Sequence, residues 1–133
     1  TGTIDKYMGD CIMAFWNAPL DCPNHQEKAI LAAYKMREKM RELKLGFNIG
    51  IGINTGTAVV GNMGSEQRFD YSVLGDAVNL ASRLEGQSKE FNTTIVIGED
   101  TYNAVEKLHK RMYRLGRVTV KGKSNKVKVY SIK

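Results

Sequence analysis

The sequence predicts a domain of the α+β or α/β class, with helices packed against one sheet. Strand-like and helix-like stretches interleave along all 133 residues. Apolar residues recur at helical spacing from Ala29 to Leu43. From Tyr71 onward, an apolar strand passes through Gly75-Asp76 straight into a second helix.

The elements follow in order. Thr1 to Trp16 reads as two strands with Ile4, Tyr7, Ile12, Ala14 and Trp16 as apolar positions and Gly9-Asp10 as their turn. Pro19 and Pro23 bracket a loop. Asn24, with Glu27 three residues on, fits a reciprocal N-terminal cap. Ala29, Ala33, Met36, Met40 and Leu43 then make one stripe for the core, with Arg37 among the charged residues elsewhere on the cylinder and Gly46 as the stop.

Phe47 to Val60 is one strand, or two joined by a bend. Ile49, Ile51 and Ile53 face one way; Gly50 and Gly52 face the other and leave room for a backbone or a ligand to come close. A loop over 62–67 leads to the strand Tyr71 to Leu74, which feeds a helix from Asn79 to Glu90. Thr93 to Ile97 reads as a buried strand and Asp100 to Lys110 as a short helix. Tyr113 to Val120 and Val127 to Ile132 form a closing hairpin around Gly122 and Asn125.

Composition narrows the function. A chain of this length holds one core, and 42% apolar with 26% charged residues is ordinary globular usage. No apolar run approaches the ~20 residues that span a bilayer, and the start has no leader pattern. The two cysteines, Cys11 and Cys22, read as reduced thiols. Net charge is +6; half of the 20 Lys and Arg lie from Lys107 onward, where no Asp or Glu follows Glu106. Such a region is a solvated face or attracts a polyanion, either a triphosphate or nucleic acid. Only Tyr113 and Tyr130 accompany it, which disfavours nucleic acid. His25 and His109 lack metal-ligand spacing, and the glycines from Gly56 to Gly64 lack the Gly-Lys-Ser/Thr ending of a phosphate loop.

Asn79 and Arg83 stand at i and i+4, on one side of a helix's first turns. An amide beside a guanidinium near a helix N-terminus suits an anionic group. By itself Asp10 is an ordinary turn-former, Ser72 a small polar strand residue, and Lys121 part of a basic hairpin.

Four segments together go further: Ile4-Asp5-Lys6-Tyr7-Met8-Gly9-Asp10, the strand Ile49 to Gly56, the run Gly75-Asp76-Ala77-Val78-Asn79-Leu80-Ala81-Ser82-Arg83-Leu84-Glu85, and Val120-Lys121-Gly122-Lys123. This set resembles the catalytic domain of class III nucleotidyl cyclases, which convert a nucleoside triphosphate into a cyclic 3′,5′ monophosphate and pyrophosphate. The resemblance implies a ferredoxin-like α+β palm with a C-terminal strand–helix–hairpin extension. It makes Asp10 a Mg²⁺ or Mn²⁺ ligand in a site of two cations. Lys6 and Ser72 become the purine-selecting pair: a lysine donates to adenine N1 but opposes the protonated N1 of guanine, so ATP is favoured over GTP. Asn79 orients the ribose, Arg83 stabilises phosphoryl charge, and Lys121, assisted by Lys123, contacts the triphosphate. Thr57 stands where some members carry a phosphate-reaching arginine.

The family's second metal aspartate lies in an upstream strand, and no residue here takes its role. The expectation is therefore an N-terminally truncated palm, one partial domain over 1–133, inactive alone. Family sites form between subunits, and this sequence carries both Asp10 and the set Lys6, Asn79 and Arg83; a homodimer with two equivalent sites is implied. The expected setting is cytosolic, without membrane contact by this domain and without nucleic acid, though the parent could be anchored upstream. The alternatives are a regulatory cyclase-like domain without turnover, a guanylate cyclase, and a basic nucleic-acid-binding module.

Overall fold

The computed structural model describes residues 2–8, 11–62, 71–119 and 126–133, with no side-chain description for 6–8, 62 and 71–73. Its strands are β1 Thr3–Met8, β2 Cys11–Phe15, β3 Ile51–Ile53, β4 Val59–Asn62, β5 Tyr71–Leu74, β6 Ile95–Gly98, β7 Met112–Thr119 and β8 Lys126–Ile132. The helices are α1 His25–Leu43, α2 Asp76–Gly86 and α3 Glu99–Asn103, followed by a 3₁₀ turn over Glu106–Arg111.

The main sheet has the order β3-β6-β8-β7. β3 runs parallel to β6, as the long crossover through α2 requires, and the other two pairs are antiparallel. β6 is buried on both faces. Ile95 and Ile97 join Ile30 and Ala33 of α1 and Val105, Leu108, Met112 and Ile132 in one cluster. Val96 turns to the other face and joins Leu84 of α2, Val118 and Val129. A strand covered on both sides reads as a continuous apolar run, which is how Thr93 to Ile97 reads.

The expectation of a single sheet is corrected. Among the described residues the ladders are three: the main sheet, the hairpin β1–β2 and the hairpin β4–β5. β1 comes close to β5 without forming a ladder with it. The two strands proposed for 47–60 exist as β3 and β4, and the closing hairpin is β7–β8.

Four local expectations are also corrected. Asn24 holds the N-cap position of α1, but its φ of 59° is left-handed and its side chain makes no cap bond. A capping side chain works from an extended backbone, so the reciprocal cap with Glu27 does not form. The helix stops at the left-handed Lys44, before Gly46. The buried face of α1 is Ile30, Ala33 and Arg37, whereas Met36 is 46% and Leu43 48% exposed. The face turned to the sheet is instead the one on which Ile30 and Ala33 enter the core cluster and Arg37 Nη1 donates 2.6 Å to the Ile132 carbonyl of β8. The helix expected over Asp100 to Lys110 breaks at Ala104–Val105, because a 3₁₀ turn stacks Val105 and Leu108 together into the core.

No helix among the described residues is long and apolar enough to cross a membrane.

Candidate active site

The site is built on α2. Gly75, at φ 146° and ψ 171°, turns β5 into the helix through a backbone region that side chains rarely enter. Its carbonyl accepts from the N–H groups of Val78 and Asn79, both at 3.1 Å. Asp76 puts a negative charge in the first turn, where the helix dipole favours it. The helix thus starts three residues earlier than predicted and ends at Gly86, ahead of the predicted Glu90.

One face of α2 is fixed to the sheet. Leu84 is fully buried and Leu80 packs beside it. Beneath the helix run Gly50 and Gly52. A Cβ on Gly52 would collide with the Ala81 carbonyl and the Glu85 amide, and one on Gly50 would collide with the Ser88 hydroxyl. The bare glycine face predicted from the sequence is therefore filled by helix backbone. The opposite face presents Asn79 and Arg83, both exposed and one turn apart. Among the described residues, no carboxylate pairs with Arg83. Its guanidinium is available to an incoming anion.

The other candidates fall on neighbouring elements or outside the described residues. Lys6 lies on β1 opposite Met13, just after a register shift between Ile4 and Lys6 that accommodates Asp5. Ser72 lies on β5 opposite Gly61. β1 and β5 are close, so the strands bearing Lys6 and Ser72 are neighbours, and β5 leads directly into α2. Thr57 is exposed between β3 and β4. Asp10, Lys121 and Lys123 lie outside the described residues. No group of three or more His, Cys, Asp or Glu that could hold a metal ion occurs among the described residues.

Two features escaped the sequence reading. Asn54, just beyond β3, donates from Nδ2 to the Ala77 carbonyl at 3.0 Å. The alternation Gly50, Gly52, Asn54 was its signal. On the far face, Tyr102 stacks on His109 at 4.0 Å and on Tyr130 at 3.7 Å between ring centroids, with His109 Nε2 2.8 Å from the Tyr102 carbonyl oxygen. Partial burial pushes the Tyr130 phenol above its ordinary value, with Tyr102 and Glu99 adding to the rise and Arg114 opposing it. No sequence signal brings these three rings together.

The candidate site is thus a strand–glycine–helix unit that displays an amide and a guanidinium, carried on a sheet whose central strand is covered on both faces. Residues 5–133 match the family model described as the adenylate and guanylate cyclase catalytic domain, and the chain belongs to that family. It is 35% identical over 142 residues to adenylate cyclase 1 of Rhizobium meliloti, an alignment covering 98% of this chain and 21% of that protein. Among solved structures it is similar to the adenylyl cyclase CyaB from P. aeruginosa, at TM-score 0.79 and 32% identity over 99% of this chain and 71% of that one. It is also similar to the guanylyl cyclase Cya2, at TM-score 0.73 and 35% identity over 98% of this chain and 69% of that one. The chain thus spans about a fifth of the Rhizobium relative's length. Domains of this family generally use divalent metal ions.

Proposed function

We propose that this domain converts ATP into 3′,5′-cyclic AMP and pyrophosphate, in a site completed by a second copy of the chain. The observation that carries the reading is α2, which offers Asn79 and Arg83, with no carboxylate on Arg83 among the described residues, on its exposed face while its other face is fixed to the sheet.

In this reading the ribose 3′-hydroxyl oxygen attacks the α-phosphorus, and its proton passes through water to the departing pyrophosphate. The new O3′–P bond forms as the bond to the bridging oxygen of the β-phosphate breaks, and pyrophosphate leaves. Negative charge gathers on the oxygens around the α-phosphorus. The N–H donors of Arg83 meet that charge, and the Asn79 amide holds the ribose so that its 3′ oxygen is in line. Stabilisation that grows toward the transition state raises turnover, and an arginine so placed in phosphoryl transfer is worth about 10³–10⁵ in rate. Lys121 binds the triphosphate and Lys6 with Ser72 reads the base.

Mg²⁺ or Mn²⁺, two per complete site, belong to the proposal, with Asp10 as one ligand. One carboxylate does not fill a two-cation site, and no described cluster adds to it, so no step is routed through the ions. The sequence carries both Asp10 and Lys6, Asn79 and Arg83, which is why the second copy is taken to be identical and to present its α2 to the first copy's Asp10. Such a domain works where ATP is, in the cytoplasm.

Overall identity does not choose the base, because an adenylyl and a guanylyl cyclase resemble the chain about equally. Lys6 supports ATP. The test measures cyclic AMP and cyclic GMP formed from ATP and GTP with Mn²⁺, using the full-length protein that contains these residues. Cyclic AMP is expected to dominate, Lys6→Glu to erode that preference, and Asp10→Ala to abolish turnover. No cyclic product from either nucleotide would refute the cyclase reading. Dominant cyclic GMP would transfer it to the guanylate alternative.

A further inference from the structure

We propose that Asn54 is a positioning residue for this reaction, acting through the first turn of α2; the proposal rests on the cyclase reading of Asn79 and Arg83. The even-numbered residues from Gly50 to Gly56 lie under α2 like the rungs of a ladder. Gly50 faces Ser88, Gly52 faces Ala81 and Glu85, and Gly56 faces Ala77, whose Cβ lies 2.6 Å from where a Gly56 Cβ would stand. At three of these four rungs the strand contributes no side chain, and the Ser88 hydroxyl just past the helix, the α2 backbone or the Ala77 Cβ sits directly against it. Such contacts fix how close the helix lies, but smooth glycine surfaces do not fix its position along the strand.

Asn54 is the rung that has a side chain. Its Nδ2 donates 3.0 Å to the Ala77 carbonyl. Its Oδ1 is walled in on the other side by Gly98, where an added Cβ would come to 2.6 Å. The amide is thus held at both ends, by β6 and by the helix. Ala77 belongs to the turn that carries Asn79, two residues on. A hydrogen bond to this carbonyl sets how far the turn slides along β3, and so where the Asn79 amide stands against the ribose.

A shift of about 1 Å in a reacting geometry can cost about 10²-fold in rate. Asn79 and Arg83 act on the transition state, so their displacement lowers kcat and leaves KM for ATP nearly unchanged. The measurement is kcat, KM and Tm on the full-length protein for Asn54→Ala and for the isosteric Asn54→Asp, which keeps the shape and loses the donor. The expected result is a fall in kcat of roughly 10- to 100-fold with KM within about twofold. Asn54→His, which returns a ring N–H at the same distance from Cα, is expected to recover most of the loss. On an Asn79→Ala background, Asn54→Ala is expected to cost little more, because the effect passes through that residue. A drop in Tm with kcat and KM intact in both variants overturns the proposal, as does full additivity with Asn79→Ala. If Asn79→Ala and Arg83→Ala themselves leave turnover intact, the cyclase reading fails instead.

Discussion

The two faces of β3 hold their helices by different physics. On one side Ile51 and Ile53 point into the apolar cluster with Ile30 and Ala33, so α1 stands off at side-chain distance. On the other side Gly50 and Gly52 let α2 settle backbone against strand, with Asn54 as a polar peg. Apolar packing tolerates volume-conserving exchange and small displacements. A backbone-to-backbone seat admits no added atom, and its position along the strand rests on the single bond from Asn54. The helix with the candidate catalytic groups occupies the unforgiving seat, and the helix with none occupies the tolerant one.

Substitutions on the two faces are expected to differ in both size and kind. The largest effect is expected for Arg83→Ala, a fall in kcat of about 10³-fold or more with unchanged Tm, since an exposed side chain adds little to stability. Wild-type turnover would detach α2 from the chemistry. Gly52→Ala comes next. Its Cβ meets the backbone of Ala81 and Glu85, which cannot give way, and a loss of about 3 kcal/mol together with falling activity is expected in denaturant titration. An unperturbed variant would show the seat to be looser than it looks.

On the tolerant face, Arg37→Ala removes the donor to the Ile132 carbonyl and leaves that carbonyl buried without it. It should cost about 1–3 kcal/mol in unfolding free energy and leave KM for ATP alone. Met36→Lys on the same helix should stay within about 0.5 kcal/mol, although the predicted stripe had put that methionine in the core. The smallest effect belongs to Tyr130. Its phenol loses a proton less readily in the folded state than in the unfolded one, so folding binds that proton more tightly. Stability from this group is present below about pH 10 and is lost as pH rises through the folded-state value. Tyr130→Phe should remove that part of the alkaline decline in unfolding free energy, as read by thermal melts across pH 8–11.

Element type was largely legible because period and punctuation are local. The apolar run of β6, the strand–Gly75–helix entry and the closing hairpin are all written in neighbouring residues. Failures came where a distant partner intervened. On α1 the inward face is Ile30, Ala33 and Arg37, and Arg37 reaches a carbonyl 95 residues away that nothing near it announces. The Asn24 cap failed because its backbone is left-handed, a choice made by the loop before it. The single helix after β6 became two pieces because Val105 and Leu108 fill the core together.

For the site, the sequence by itself determined which groups are available and that Asn79 and Arg83 share a helix face, because i and i+4 spacing fixes that in any helix. It also determined family membership, through motifs whose residues stand in order along one chain. Only the tertiary structure decided that the glycine face of β3 is taken by α2 and not left for a ligand, and that Asn54 pegs the helix. Those outcomes depend on which surfaces meet across the fold, and contacts between distant segments are set by the packing of the whole core and not by the spacing of neighbours.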